Sequence, residues 1–356
     1  MRLSSWFKRP YPRLDWIQVE ITSRCNGRCR YCPQHAWRRQ WRVADMAPAD
    51  FDRLIPAFKR TGLVYLQGWG EPFLHPDFFR MLAIAKGAGA KVGTTTNGTL
   101  VDNATADRLV SGGLDILAFS LAGISDNNDN IRQGTRLRSV AEAVAAVNRA
   151  KAAQGRRSPR IHIAFMLLRS QMDEIDRLPD FFASLGVDQV VVSSLSLVAT
   201  EAWAGEAVLA ETPEAWTKLK EKADAVREAG ARQGVDLRFH LMAPWADPGP
   251  CDENIGRALV VGVNGDVSAC VMTNLPLITG AADGLDPGYF PPSRLIFGNI
   301  RSATLAEIWR RPAYRSFRRR WAAVEPPAPC RGCCKSRRLT MDRPVPGPAA
   351  RLVPDF

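Results

Sequence analysis

The chain has 356 residues, 46% hydrophobic and 24% charged, a balance that fits one large globular domain plus a smaller one. No apolar run approaches the roughly 20 residues needed to cross a bilayer, and the opening stretch MRLSSWFKRPYPRLDW lacks the apolar centre of a signal peptide. A cytoplasmic protein without membrane contact is expected, whose eight cysteines are reduced thiols or metal ligands and not disulfides. The net charge of +12 is spread along the chain, and no basic run alternates with aromatics. Its densest patches are FRRRW, from Phe317 to Trp321, and CKSRR, from Cys334 to Arg338. A solvated basic face or docking of an acidic protein is expected before nucleic acid.

Strand and helix patterns alternate from residue 15 to about 234. Strands are predicted over Trp16 to Thr22, Leu63 to Gln67, Lys91 to Thr96, Leu114 to Ser120, Arg160 to Leu168 and Asp188 to Ser194. Helices are predicted over Pro48 to Arg60, with Pro56 as a candidate kink, then Asp77 to Lys86, Asp102 to Ser111, Leu137 to Lys151, Met172 to Ser184 and Pro213 to Ala229. Six strand–helix units in a row imply α/β architecture, with parallel strands and right-handed crossovers, two units short of a closed eightfold barrel. Clean alternation stops near Val235, where glycine, proline and cysteine increase. The expected division is an arm (1–14), a barrel-like domain (15–234), a cysteine-rich α+β domain (235–344) and a tail (345–356).

The chemistry starts in QVEITSRCNGRCRYCPQ. Cys25, Cys29 and Cys32 form a C-x3-C-x2-C run just after the first strand, and the aromatic Tyr31 precedes the third cysteine. Three thiolates on one loop suit three corners of a four-iron, four-sulfur cluster, leaving the fourth iron open. The competing reading is a structural zinc site with His35 as fourth ligand, but zinc usually takes two ligand pairs, which this spacing fits poorly. Gly68-Trp69-Gly70-Glu71-Pro72 ends the second strand, and its glycines allow close backbone approach to a ligand. The later Val261–Val267 stretch reads as a hairpin turning at Asn264-Gly265, bracketed by Cys251 and Cys270. Cys330-Arg331-Gly332-Cys333-Cys334 follows a turn and a helix. Four thiolates of this second set suit either an iron–sulfur cluster or zinc. Trp37 and Trp41 shield the first cysteine loop or simply pack, His162 reads as a structural histidine, and no P-loop or dinucleotide fingerprint is present.

The cysteine triplet, the GxGEP turn and the strand-end residues together resemble the radical S-adenosylmethionine (SAM) superfamily. The resemblance implies a partial (β/α)6 TIM-like barrel with its site at the C-terminal rim. It implies a SAM-binding 4Fe-4S cluster on Cys25, Cys29 and Cys32, with SAM contacts from Tyr31, Gly68, Gly70, Glu71, Pro72, Asn97, Ser120, Arg132 and Leu167. There, Gly70-Glu71-Pro72 would bind the methionine amino group, Ser120 and Arg132 its carboxylate, and backbone near Leu167 the adenine. Ala122 stands where peptide-modifying relatives often carry aspartate. The C-terminal region resembles the SPASM or short Twitch domain, which implies an auxiliary 4Fe-4S cluster on Cys251, Cys270, Cys330 and Cys333, with Cys334 as the substitute for Cys333. The catalytic residues beyond the cluster are left open.

The activity so implied is reductive cleavage of SAM to a 5′-deoxyadenosyl radical that abstracts hydrogen from a substrate. A low-potential donor such as ferredoxin or flavodoxin is the implied partner, with a substrate protein, peptide or cofactor precursor. VYLQGWGEP and FSLAGISDNNDNIRQGT are similar to maturases of tungsten-containing aldehyde oxidoreductases, which implies maturation of a pterin-type metal cofactor or its host protein. The alternatives are a peptide (RiPP) maturase forming a thioether or carbon–carbon crosslink, a Twitch-type dehydrogenase of a sugar or aminoglycoside, and a zinc-binding nucleic-acid adaptor.

Overall fold

The computed structural model describes residues 12–243, 251, 253–278, 294–323, 325, 327, 330, 333, 335 and 338–340. Its centre is an eleven-stranded sheet. In spatial order, eight strands run parallel: Ala258–Val261, Leu14–Val19, Thr61–Leu66, Lys91–Thr96, Ile116–Leu121, Arg160–Leu167, Gln189–Ser194 and Asp236–Met242. Asp266–Ser268 and Gly298–Asn299 extend one edge antiparallel, and Arg338–Thr340 extends the other. Among the described residues the two edges do not pair with each other, so the barrel is partial and open.

Side-chain alternation divides the sheet into two chemically different faces. Ile17, Val19, Val64, Leu66, Leu117, Phe119, Ile161, Ile163, Val190 and Val192 belong to the main core. Fully burying each such side chain contributes about 1.5–3 kcal/mol. A one-residue slip would turn all of them to the other face, so the register is strongly specified. The inner face is different: Trp16, Leu63, Tyr65, Ile116 and Ala258 form a separate apolar cluster, beside buried Gln18, Glu20, Thr95, His162 and Gln189.

The predicted helices form, with instructive changes. Pro48 to Arg60 is not one helix but two short ones, Pro48–Asp52 and Ile55–Phe58. Pro56 has no N–H to continue the first, yet suits the opening turn of the second. Met172 to Ser184 divides likewise into a 3₁₀ segment, Arg169–Arg177, and the helix Leu178–Leu185, with Pro179 at the junction. Asp102 caps Asn103–Ser111 by accepting from Thr105 N at 2.7 Å. The change of sequence pattern near residue 235 does not end the parallel sheet. The long helix Pro213–Arg232 returns the chain so that Asp236–Met242 pairs with Gln189–Ser194. No helix among the described residues is long and apolar enough to cross a membrane.

Candidate cluster and S-adenosylmethionine site

The cysteine loop leaves the C-terminal end of the first strand and is gripped from several sides. Arg28–Cys29 pairs antiparallel with Arg132–Gln133, placing Cys29 opposite Arg132. Asn97 Nδ2 donates to Asn26 Oδ1 at 2.7 Å, and Asn26 Nδ2 donates to Thr99 Oγ1 at 2.8 Å. Trp41 Nε1 donates to Ser23 O at 3.3 Å, and Gly27 N donates to Cys25 Sγ at 3.3 Å. Trp37 and Trp41 are both buried, so they close the loop against the core.

The three thiols keep partial accessibility but feel the protein and one another. Burial pushes Cys25 up to about 11, with Glu71 and Cys29 adding negative charge nearby. Burial pushes Cys32 up to about 12, and Cys29 and Cys25 add to it. Protonated thiols are poor iron ligands, so bound cationic iron would have to deprotonate them, as metals do for coordinating thiols. Arg132 supplies fixed positive charge at the same place. Burial opposes its charge, but Cys29, Tyr31 and Cys25 hold its pKa above the ordinary arginine value. Arg132 Nη1 donates to Tyr31 Oη at 2.5 Å, whereas its buried Nε has no hydrogen-bond partner. An orphaned guanidinium N–H beside a soft thiol triplet fits an anionic ligand at a cluster. The donor set therefore suits iron–sulfur binding with a carboxylate-bearing cofactor.

The Gly68–Pro72 turn packs directly on this loop. A Cβ at Gly70 would lie 2.4 Å from Thr22 O and 2.5 Å from Arg24 O, so only glycine permits this approach. Glu71 N donates to Arg24 O at 2.7 Å. The Glu71 carboxylate is fully engaged by protein: Oε1 accepts from Thr96 Oγ1 at 2.7 Å and Phe73 N at 3.3 Å, and Oε2 accepts from Asn97 N at 2.7 Å. These bonds make its side chain a clamp between the second and third strands. Tyr31 is also engaged, through its hydroxyl with Arg132 and through its ring with Trp203, edge to face at 6.3 Å. Asn97 likewise holds the loop. Pro72 is buried at the start of the 3₁₀ turn Pro72–Leu74, Ser120 is half-buried near the end of the fourth strand, and buried Leu167 ends the fifth. Of the expected contact residues, Arg132 alone keeps a buried side-chain polar atom without a hydrogen-bond partner among the described residues.

Sequence reasoning passed over two features. Glu20 is a buried carboxylate beneath the Gly68–Pro72 turn, accepting from Trp69 N at 2.9 Å. Trp203 sits in the turn Glu201–Glu206, with Arg30 over its ring at 5.4 Å. A glutamate on the inner face of a strand was a legible signal, because that pattern demands a buried partner; Trp203, in a loop without periodicity, gave none.

Within the second cysteine set, Cys270 feels the charge of Cys251 and Cys330. Burial pushes Cys270 up to about 12, with Cys251 and Cys330 close enough to raise it further. Cys330 and Cys333 are buried, and Cys333 N donates to Cys330 O at 3.1 Å. The hairpin turns where expected, with Val261 opposite Val267 and Gly265 at φ +85°. Cys334 lies outside the described residues. His162, buried in the fifth strand, is pushed down to about 4 by burial and stays neutral at pH 7.

Burial raises both Glu20 and Glu71 from the ordinary 4.5 to about 7. Between those values the folded chain keeps protons that the unfolded chain has lost, so stability falls as pH rises through this window, by up to about 3 kcal/mol per group. The urea midpoint should therefore be higher at pH 5 than at pH 8, and E20Q together with E71Q should flatten the slope. A double variant with the wild-type pH dependence would refute this assignment.

The model of the radical SAM superfamily matches residues 19–182, and that of the SPASM iron-sulfur cluster-binding domain matches residues 251–334. The chain is 26% identical over 318 residues to a tungsten-containing aldehyde ferredoxin oxidoreductase cofactor-modifying protein of Pyrococcus furiosus, covering 86% of this chain and 83% of the relative. It is 25% identical to a PqqA peptide cyclase of a Methylobacterium species, covering 95% and 86%. Among solved structures, SuiB of Streptococcus suis bound to SAM superposes with a TM-score of 0.64 at 14% identity, covering 92% of this chain and 72% of that one. Thiol triplet, glycine turn and barrel thus coincide with the matched domains, and the chain belongs to the radical SAM superfamily, as an enzyme with a C-terminal SPASM domain.

Proposed function

We propose that this enzyme matures a metal–pterin type cofactor, or the oxidoreductase that hosts it, by radical abstraction of hydrogen. The observation that carries the reading is similarity to the tungsten oxidoreductase cofactor-modifying protein along most of both chains. When bound, the reduced cluster and SAM supply a 5′-deoxyadenosyl radical. The chain's own residues hold and shape the site: Cys25, Cys29 and Cys32 anchor the cluster, Arg132 offers Nε to the SAM carboxylate, and Glu71, Asn97 and Tyr31 keep the loop rigid. Cys251, Cys270, Cys330 and Cys333 would hold the auxiliary cluster, which suits electron exchange because all its ligands come from protein. A ferredoxin- or flavodoxin-like protein is the proposed reductant.

A peptide-maturing role is the second reading, favoured by the PqqA peptide cyclase similarity. Against it stands Ala122, fully buried among Ile131, Leu168 and Leu195, where peptide-modifying relatives often carry aspartate. The test is anaerobic: reconstitute with iron and sulfide, add dithionite and SAM, then supply either the apo-oxidoreductase with its pterin precursor or a candidate precursor peptide. About eight irons per chain and 5′-deoxyadenosine release stimulated by the oxidoreductase components support the proposal. Stimulation by the peptide alone would replace it with the second reading.

A further inference from the structure

Glu20 sits where the two cysteine-bearing regions meet. The strand that ends just before it, Leu14–Val19, pairs on one side with Thr61–Leu66, which leads into the Gly68–Pro72 turn, and on the other with Ala258–Val261, the first arm of the hairpin before Cys270. Its backbone N donates to Val261 O at 2.9 Å. Its side chain is 2% exposed and divides its two oxygens between the regions: Oε1 accepts from Trp69 N at 2.9 Å, and Oε2 accepts from Val263 N at 3.2 Å. Gly68 is shaped around it, since a Cβ there would lie 2.2 Å from Glu20 Cγ. Trp69 meets the same junction from above, its ring edge to face with Trp41 at 6.2 Å, while Trp41 bridges to Leu277 of the second region.

A carboxylate is costly to bury and is retained where both its oxygens are needed. Here each oxygen satisfies one backbone N–H, one in the turn and one in the hairpin. We propose that Glu20 is a positioning residue that holds the Gly68–Pro72 turn in register with the Val261–Val267 hairpin, so that SAM binding at the first site is felt at the second cysteine set. The inference rests on the proposed SAM and auxiliary-cluster sites.

The test uses the reconstituted holoenzyme and its E20Q and G68A variants. E20Q keeps the shape but turns an amide NH₂ toward one of the two N–H donors; G68A drives a methyl group into Glu20. Hydrogen exchange at the amides of Trp69 and Val263, and the paramagnetic spectrum of each reduced cluster, are recorded with and without SAM. In wild type, SAM should slow exchange at both amides and perturb both spectra. In E20Q, with iron content and thermal midpoint retained, Val263 exchange and the auxiliary spectrum should no longer respond, and the SAM dissociation constant should rise roughly tenfold, as expected for one lost buried hydrogen bond. G68A should reproduce this if E20Q does not fold. Wild-type responses preserved in either folded variant would overturn the role of Glu20. A wild-type chain that bound no SAM, or held one cluster only, would instead overturn the functional reading beneath it.

Discussion

Replacing any one of Cys25, Cys29 or Cys32 with alanine should lower iron content from about eight to about four per chain and reduce 5′-deoxyadenosine formation to background. The three thiols occupy one loop with no fourth cysteine nearby, and each raises the pKa of a neighbour. Loss of one leaves two protein corners for a cluster that needs three, and loss of Cys25 or Cys29 also removes a group whose charge holds buried Arg132. The second set should retain its irons, because Cys251, Cys270, Cys330 and Cys333 lie more than 200 residues along the chain from the triplet. Iron counting and the residual spectrum of the variant check this. Full retention of iron with normal SAM cleavage would remove the triplet from the site.

Gly70→Ala should lower the rate of SAM cleavage by about 100-fold or more, the cost expected when a reacting group is misplaced by roughly 1 Å. The new methyl group would enter the space between the carbonyl oxygens of Thr22 and Arg24, at 2.4 and 2.5 Å. Both are backbone atoms of the segment leading into Cys25, so relief has to move either the turn or the cysteine loop. Stability should also fall, by about 1–3 kcal/mol as for other overpacked sites. Gly87→Ala is the matched control: nothing lies within 4 Å of a Cβ there, and activity should not change. The comparison is read by the initial rate of 5′-deoxyadenosine release with both variants at equal iron content. A Gly70→Ala enzyme as fast as the control would mean that the turn does not set the geometry of the site.

Both predictions concern residues visible in the sequence, yet their reasons differ in origin. The C-x3-C-x2-C spacing and the strand–helix alternation are local signals: a cysteine triplet on one loop and apolar residues at periods of two and 3.6 need no distant partner to be read. The six-unit barrel and the two cysteine sets were legible for that reason. Proline effects were legible only as warnings, since whether Pro56 kinks a helix or opens a new one depends on what packs beside it.

The division of labour among the strand-end residues was decided only by the tertiary structure. Glu71, Asn97 and Tyr31 fall in motif positions, but hydrogen bonds to Thr96, Asn26 and Arg132, contributed by other segments, make them clamps. The seventh parallel strand, Asp236–Met242, and the eighth, Ala258–Val261, add to the barrel at its two edges, past the point where the local pattern breaks down. Glu20 is the sharpest case. Its chemistry depends on Trp69, 49 residues away, and on Val263, 243 residues away. A sequence displays which groups must be buried, but which distant N–H satisfies a buried carboxylate is settled only when the sheet brings those strands side by side.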